Sequence, residues 1–99
     1  MSKACVDTFL KNDVDAYVAT CNMLGAVDER GALAHFKMPV RIMVGEEDYA
    51  TPPAMAQAMH KAIPHSTYLL LPKARHLTPL ERPDEVASEI IETLKAARR

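Results

Sequence analysis

The sequence contains no tryptophan, only three glycines and only two cysteines. Cys5 and Cys21 have no Cys-x-x-Cys spacing and no histidine nearby. They read as reduced thiols, because a disulfide framework in a short secreted chain takes four or more cysteines. Gly25, Gly31 and Gly45 are too scattered to form a phosphate-cradling loop. An excess of one charge is also missing: 12 Lys+Arg stand against 13 Asp+Glu, a formal net charge of −1. That balance gives no electrostatic reason to expect nucleic acid or an anionic membrane as a partner. The longest aliphatic runs, Ile42-Met43-Val44 and Tyr68-Leu69-Leu70-Leu71, fall far short of the ~20 residues that span a bilayer. Asp7 interrupts any apolar run after Lys3, so no signal peptide is read. Together these absences predict a cytoplasmic protein with no membrane partner and no nucleic-acid partner.

What remains has the composition of one small globular domain. At 99 residues, 48% hydrophobic and 25% charged, the chain is neither collagen-like nor wholly disordered. A compact chain of this length is expected to bury about 60–65% of its unfolded surface, which limits the core. Lys95, Arg98 and Arg99 suit the carboxyl end of a terminal helix. His60 and His65 are five apart, a spacing that does not make a zinc pair.

No internal repeat or low-complexity tract is present. Val14, Tyr17, Val18, Cys21 and Leu24 recur at helical spacing, with Asp13 as N-cap and Gly25 as stop. A turn or two of helix is expected within residues 2–11. A shorter helix starting at Asp28 should bury Leu33 and Phe36 before Pro39 ends it. Val40 to Val44, closed by Gly45, reads as a strand, and Ser66 to Leu71 as a second. Between them, Thr51 as N-cap and Pro52 at the first helical position open a helix. Its expected stripe is Met55, Ala58, Met59 and Ala62, with Met55 and Met59 against the sheet. Pro83-Asp84 opens a last helix, whose expected buried face is Val86, Ala87, Ile90, Ile91 and Leu94.

Strand, helix, strand, helix describes a right-handed βαβ unit of an α/β protein, with strands apolar on both faces. Two parallel strands leave an edge unpaired. The sequence is therefore expected to be the end of a larger α/β sheet. In such sheets the chemistry collects in loops after the strands' carboxyl ends. Those loops hold Glu46, Glu47 and Asp48 on one side and His76 on the other. A carboxylate there can orient the imidazole and leave its far nitrogen free as a general base. Each of the three acids competes for that role.

Residues 38–53, M-P-V-R-I-M-V-G-E-E-D-Y-A-T-P-P, resemble the penultimate strand and acid loop of α/β-hydrolase-fold enzymes. Residues 63–83, I-P-H-S-T-Y-L-L-L-P-K-A-R-H-L-T-P-L-E-R-P, resemble that family's last strand and histidine loop. The resemblance runs roughly over 28–95, and G-E-E-D-x-A-T-P-P is most like 3-oxoadipate enol-lactonases and related small ester or lactone hydrolases. It implies that Asp48 is the triad acid and His76 the triad base, with Glu81 a structural acid behind the histidine loop in a capping or ion-pair role. Residues 28–99 would form the carboxyl-terminal hydrolase segment, and residues 1–27 the helical tail of a cap region. Within that tail, core packing is expected for Tyr17, Cys21 and Met23, with contact to substrate as the alternative. The implied partner is a small-molecule ester or lactone, with no metal and no organic cofactor.

The sequence departs from the family pattern at three places. Tyr49 stands where proline often follows the acid, and Lys73-Ala74-Arg75 stands where glycine-rich residues often precede the histidine. The G-x-S-x-G nucleophile elbow is missing: Ser2, Ser66 and Ser88 have no flanking glycines, and neither cysteine sits in such an elbow. The oxyanion-hole loop is missing as well. The chain is thus expected to supply acid and histidine to an upstream half and to be inactive alone. The competing reading is a non-catalytic interaction module, or a truncated gene product, that self-associates through the open strand edge.

Overall fold

The computed structural model of the chain describes residues 2–98. Its elements are α1 (Lys3–Leu10), α2 (Val14–Ala26), a 3₁₀ segment (Arg30–His35), β1 (Arg41–Gly45), α3 (Pro53–Ala62), β2 (Thr67–Leu71), α4 (Thr78–Glu81) and α5 (Pro83–Ala97). The chain has an α/β fold built on one parallel strand pair. Arg41 lies opposite Thr67 and Gly45 opposite Leu71.

Of the three side chains expected to cap helices, Asp13 does so, and Asp28 and Thr51 do not. Ser2 caps α1 by accepting from the Cys5 amide at 3.4 Å. Asp13 caps α2 by accepting from the Asp15 and Ala16 amides at 2.9 and 3.3 Å. Gly25 does not stop α2, which runs one residue further and ends against Val27. Asp28 opens no α-helix, because its carboxylate accepts from both the amide and the guanidinium of Arg30. A short 3₁₀ turn follows instead, leaving Leu33 half-buried and Phe36 exposed. The cap of α3 is Pro52 and not Thr51, so the helix begins at Pro53. Thr51 is engaged elsewhere.

The core lies between β1, β2 and α3. Ile42 and Val44 point from β1 onto Ala56 of α3, with Val40, Tyr68 and Leu70 around them. Ile63 and Leu71 are 1% exposed. Burying a side chain of that size is worth about 2–3 kcal/mol. The inward line of α3 is Pro53, Ala56 and His60, continued by Ile63 just past the helix end, not the expected methionine stripe: Met55 is 56% and Met59 43% exposed. Ala56 wins because a residue with no side chain beyond Cβ lets the helix axis approach the sheet. Ser66, buried just before β2, donates to the Ile63 carbonyl at 2.7 Å and lies 2.7 Å from His60 Nδ1. With its hydroxyl proton so used, the serine oxygen accepts from an Nδ1–H. His65 meets the Met38 carbonyl.

The rest of the chain is unusually open. A compact monomer of this mass exposes roughly 5,600 Å², whereas this chain exposes 7827 Å². Its radius of gyration is 15.7 Å, against roughly 12.6 Å for a compact chain of this length. The expected 60–65% burial is therefore not reached. Helices α1 and α2 meet through an edge-on contact of Phe9 with Tyr17, centroids 5.5 Å apart, and contain no buried residue. Tyr17, Cys21 and Met23 are exposed and not packed in a core. On α5, Ala87, Ile90, Ile91 and Leu94 are exposed and Val86 is half-buried. Their stripe has the expected spacing but no described element covering it. Among the late cations, Lys95 pairs with Glu92 and Arg98 caps α5, while Arg99 lies outside the described residues. No described helix is long and apolar enough to cross a membrane.

Candidate active site

Because β1 and β2 are parallel neighbours in register, the loops that follow Gly45 and Leu71 leave from the same rim. Backbone bonds then stitch the loops together. The Glu46 amide donates to the Leu71 carbonyl and the Glu47 amide to the Ala74 carbonyl, each at 2.9 Å. Gly45 sits where they cross: a Cβ there would meet the carbonyl oxygens of Ala74 and Arg75 and stand 2.6 Å from the Ala74 carbonyl carbon.

Asp48 is 5% exposed and accepts four hydrogen bonds. Its Oδ1 takes the amides of Ala50 at 3.1 Å and Thr51 at 2.9 Å. Its Oδ2 takes the Thr51 hydroxyl at 3.1 Å and His76 Nδ1 at 2.9 Å. The Thr51 amide, and then His76, favour the ionised carboxylate and lower its pKa from 3.8 to about 2. An acceptor at Nδ1 selects the Nδ1–H tautomer and leaves Nε2 with its lone pair free. Nε2 has no hydrogen-bond partner among the described residues, and the His76 side chain is 55% exposed. The arrangement can take a proton from a hydroxyl held at Nε2 and stabilise the imidazolium that results.

The two other acids of the loop do not compete. The Glu46 carboxylate accepts from the Lys73 amide at 3.3 Å, and Glu47 joins the neighbouring loop through its backbone. Lys73 itself has φ 62, a left-handed conformation that glycine adopts without steric cost. Glu81 acts behind the histidine as a cap: its two oxygens accept from the Arg75 amide at 3.0 and 3.1 Å. Thr51, expected from the sequence as a helix cap, serves Asp48 instead, and an Asp followed three residues later by Thr is a local hydrogen-bonding signature. Its hydroxyl also stands 3.4 Å from His76 Nδ1.

A cavity of about 780 Å³ opens beside the histidine, lined by Ser2, Cys5, His76, Leu77 and Leu80 among others. Tyr17, Cys21 and Met23 do not line it. Ser66 lies before the start of β2, at the opposite end of the strands, bonded to His60. The structure thus brings Asp48 and His76 together and no elbow-borne serine with them.

The lowered carboxyl makes stability pH-dependent in a defined direction. A group ionising more easily in the folded state contributes stability above its unfolded pKa and loses it as pH falls through the folded one. For Asp48 the contribution should be complete above about pH 4 and vanish toward pH 2. Urea midpoints measured across that range should fall for the native chain, with a smaller fall in Asp48→Asn.

Neither a protein-family profile nor a curated protein matches the chain. Solved structures do. A thermophilic esterase from Thermogutta terrifontis (malate bound) superimposes on 73% of the chain with a TM-score of 0.67 and 33% identity. The enol-lactonase from Burkholderia xenovorans LB400 superimposes on 90% of it with a TM-score of 0.84 and 28% identity. The chain spans 26% of the length of the first and 34% of the second.

Proposed function

Given that the chain has the α/β-hydrolase fold, we propose that it provides the acid and the base for hydrolysing a carboxylic ester or lactone. Asp48 orients the imidazole and stays ionised. His76 Nε2 takes the proton of a serine hydroxyl carried on another segment, then returns it to the leaving alcohol or enol. The observation that carries this reading is the 2.9 Å contact between buried Asp48 and His76 Nδ1, with Nε2 free beside a cavity. The enol-lactonase and esterase neighbours support the substrate class.

An Asp–His pair activates a hydroxyl only if that hydroxyl is held within reach and if donors meet the oxyanion. The isolated chain should therefore hydrolyse p-nitrophenyl acetate barely faster than free imidazole does, and His76→Ala should change little. Combined with a hydrolase half carrying the serine elbow, it should gain turnover that depends on both His76 and Asp48. Robust turnover by the chain alone, abolished by His76→Ala, would overturn the division of labour. A second reading, a non-catalytic interaction module, draws on the exposed apolar face of α5. Complementation without dependence on His76 would favour it.

A further inference from the structure

Thr51 stands just before Pro52-Pro53, where α3 begins, yet its hydrogen bonds run to the catalytic pair and not into the helix. Its amide donates to Asp48 Oδ1 at 2.9 Å and its hydroxyl to Oδ2 at 3.1 Å. The same hydroxyl oxygen is 3.4 Å from His76 Nδ1, which itself lies 2.9 Å from Oδ2. The three atoms close a triangle. With the hydroxyl proton on Oδ2, the lone pairs of the threonine oxygen are left for the Nδ1–H as a second, weaker acceptor. The other tautomer fits the triangle badly. Nδ1 would then present a lone pair to the carboxylate, and the two acceptors would share one hydroxyl proton.

Covalent stiffness, not packing, holds this hydroxyl in place. Thr51 is exposed, so no core surrounds it. The proline after it restricts its backbone to extended conformations, and its β-branch restricts χ1. His76 has no comparable restraint. Its side chain is 55% exposed, and its ring meets only Asp48 and Thr51 among the described residues. Water therefore competes for the Nδ1–H, and a ring held through one bond can pivot about it. Two oxygens on the same side remove that freedom. We propose that Thr51 is a positioning residue, whose hydroxyl locks Asp48 Oδ2 and the His76 ring together and so keeps the base in one tautomer and one orientation. The inference rests on the reading of Asp48 and His76 as acid and base, and adds a third side chain to the pair. The hydroxyl also contributes, after the Thr51 amide and His76, to holding the Asp48 pKa at about 2.

The full chain alone serves for the test, because the readouts need no turnover. Thr51→Val keeps the shape and the amide and removes only the hydroxyl. By proton and nitrogen-15 NMR, the His76 Nδ1 proton should then exchange with water about tenfold faster, the effect of losing one charge-assisted hydrogen bond. The Nε2–H tautomer, undetected in the native chain, should become visible. Thr51→Ala should reproduce the valine result, which separates the lost hydroxyl from the added methyl. Thr51→Ser restores the hydroxyl and should bring exchange back to within about threefold of the native rate. A valine variant with a lower urea midpoint but native exchange and tautomer would make Thr51 merely structural and overturn the proposal. So would a serine variant that behaves like valine. An assembled hydrolase without His76-dependent turnover would remove the functional reading, while exchange in the chain alone still decides whether Thr51 positions the ring.

Discussion

Asp48→Asn should lower kcat of the assembled hydrolase by on the order of 10⁴-fold while leaving KM nearly unchanged. Asparagine has almost the shape of aspartate, so Oδ1 can still accept from the Ala50 and Thr51 amides. The other position becomes an NH2 group facing His76 Nδ1 and the Thr51 hydroxyl, both of which now meet oxygen. A donor there requires a lone pair on Nδ1, which moves the imidazole proton to Nε2. The nitrogen that should accept a proton then already has one. Nitrogen-15 NMR of His76 reads the tautomer directly, and steady-state kinetics separate kcat from KM. A loss below tenfold with the Nδ1–H tautomer retained would show that Asp48 does not orient the base.

Gly45→Ala should be nearly as damaging by an unrelated route. The added methyl would run into backbone, the carbonyls of Ala74 and Arg75, and backbone cannot rotate aside as a side chain can. The loops must separate, at a cost of about 3 kcal/mol. Separation strains the 2.9 Å Glu47–Ala74 bond that holds the acid loop against the histidine loop. The Asp48–His76 contact should lengthen with it. Urea unfolding gives the stability change, and the His76 Nδ1 proton signal reports the contact. A variant that keeps both would show that Gly45 is not the pivot of the site.

The strands and their parallel pairing were legible in the sequence because each rests on local chemistry, whereas the loop residues alone left Glu46, Glu47 and Asp48 open and only the family resemblance implied Asp48 beside His76. Val40 to Val44 and Ser66 to Leu71 are short β-rich runs with clear stops, and the βαβ connection brings their carboxyl ends together. Burial was less legible. The α5 stripe of Ile90, Ile91 and Leu94 has the right period, yet periodicity states only that a face wants cover. Whether cover exists depends on tertiary partners, and the described residues supply none. The inward face of α3 was missed for a related reason. Met55 and Met59 are the larger apolar residues, but close helix–sheet contact selects Ala56, whose small size carries little weight in a hydrophobicity pattern. Asp28 and Thr51 were misread as helix caps because side chains of their type also serve other acceptors and donors nearby.

The bond between Glu81 and the Arg75 amide has a consequence for the order in which the site assembles. It closes a loop over six residues of separation, whereas Asp48 and His76 are 28 apart. Closing the longer span costs roughly 1.4 kcal/mol more in chain entropy, since the cost grows with the logarithm of length. The Arg75–Glu81 loop and the Asp48–Thr51 turn can therefore form early, on the timescale of local loop closure. What is left for the slower step is a single meeting of two shaped loops, guided by the parallel strands behind them. Chain entropy then weighs most on that last meeting, and the histidine should reach the acid already presented in the right direction.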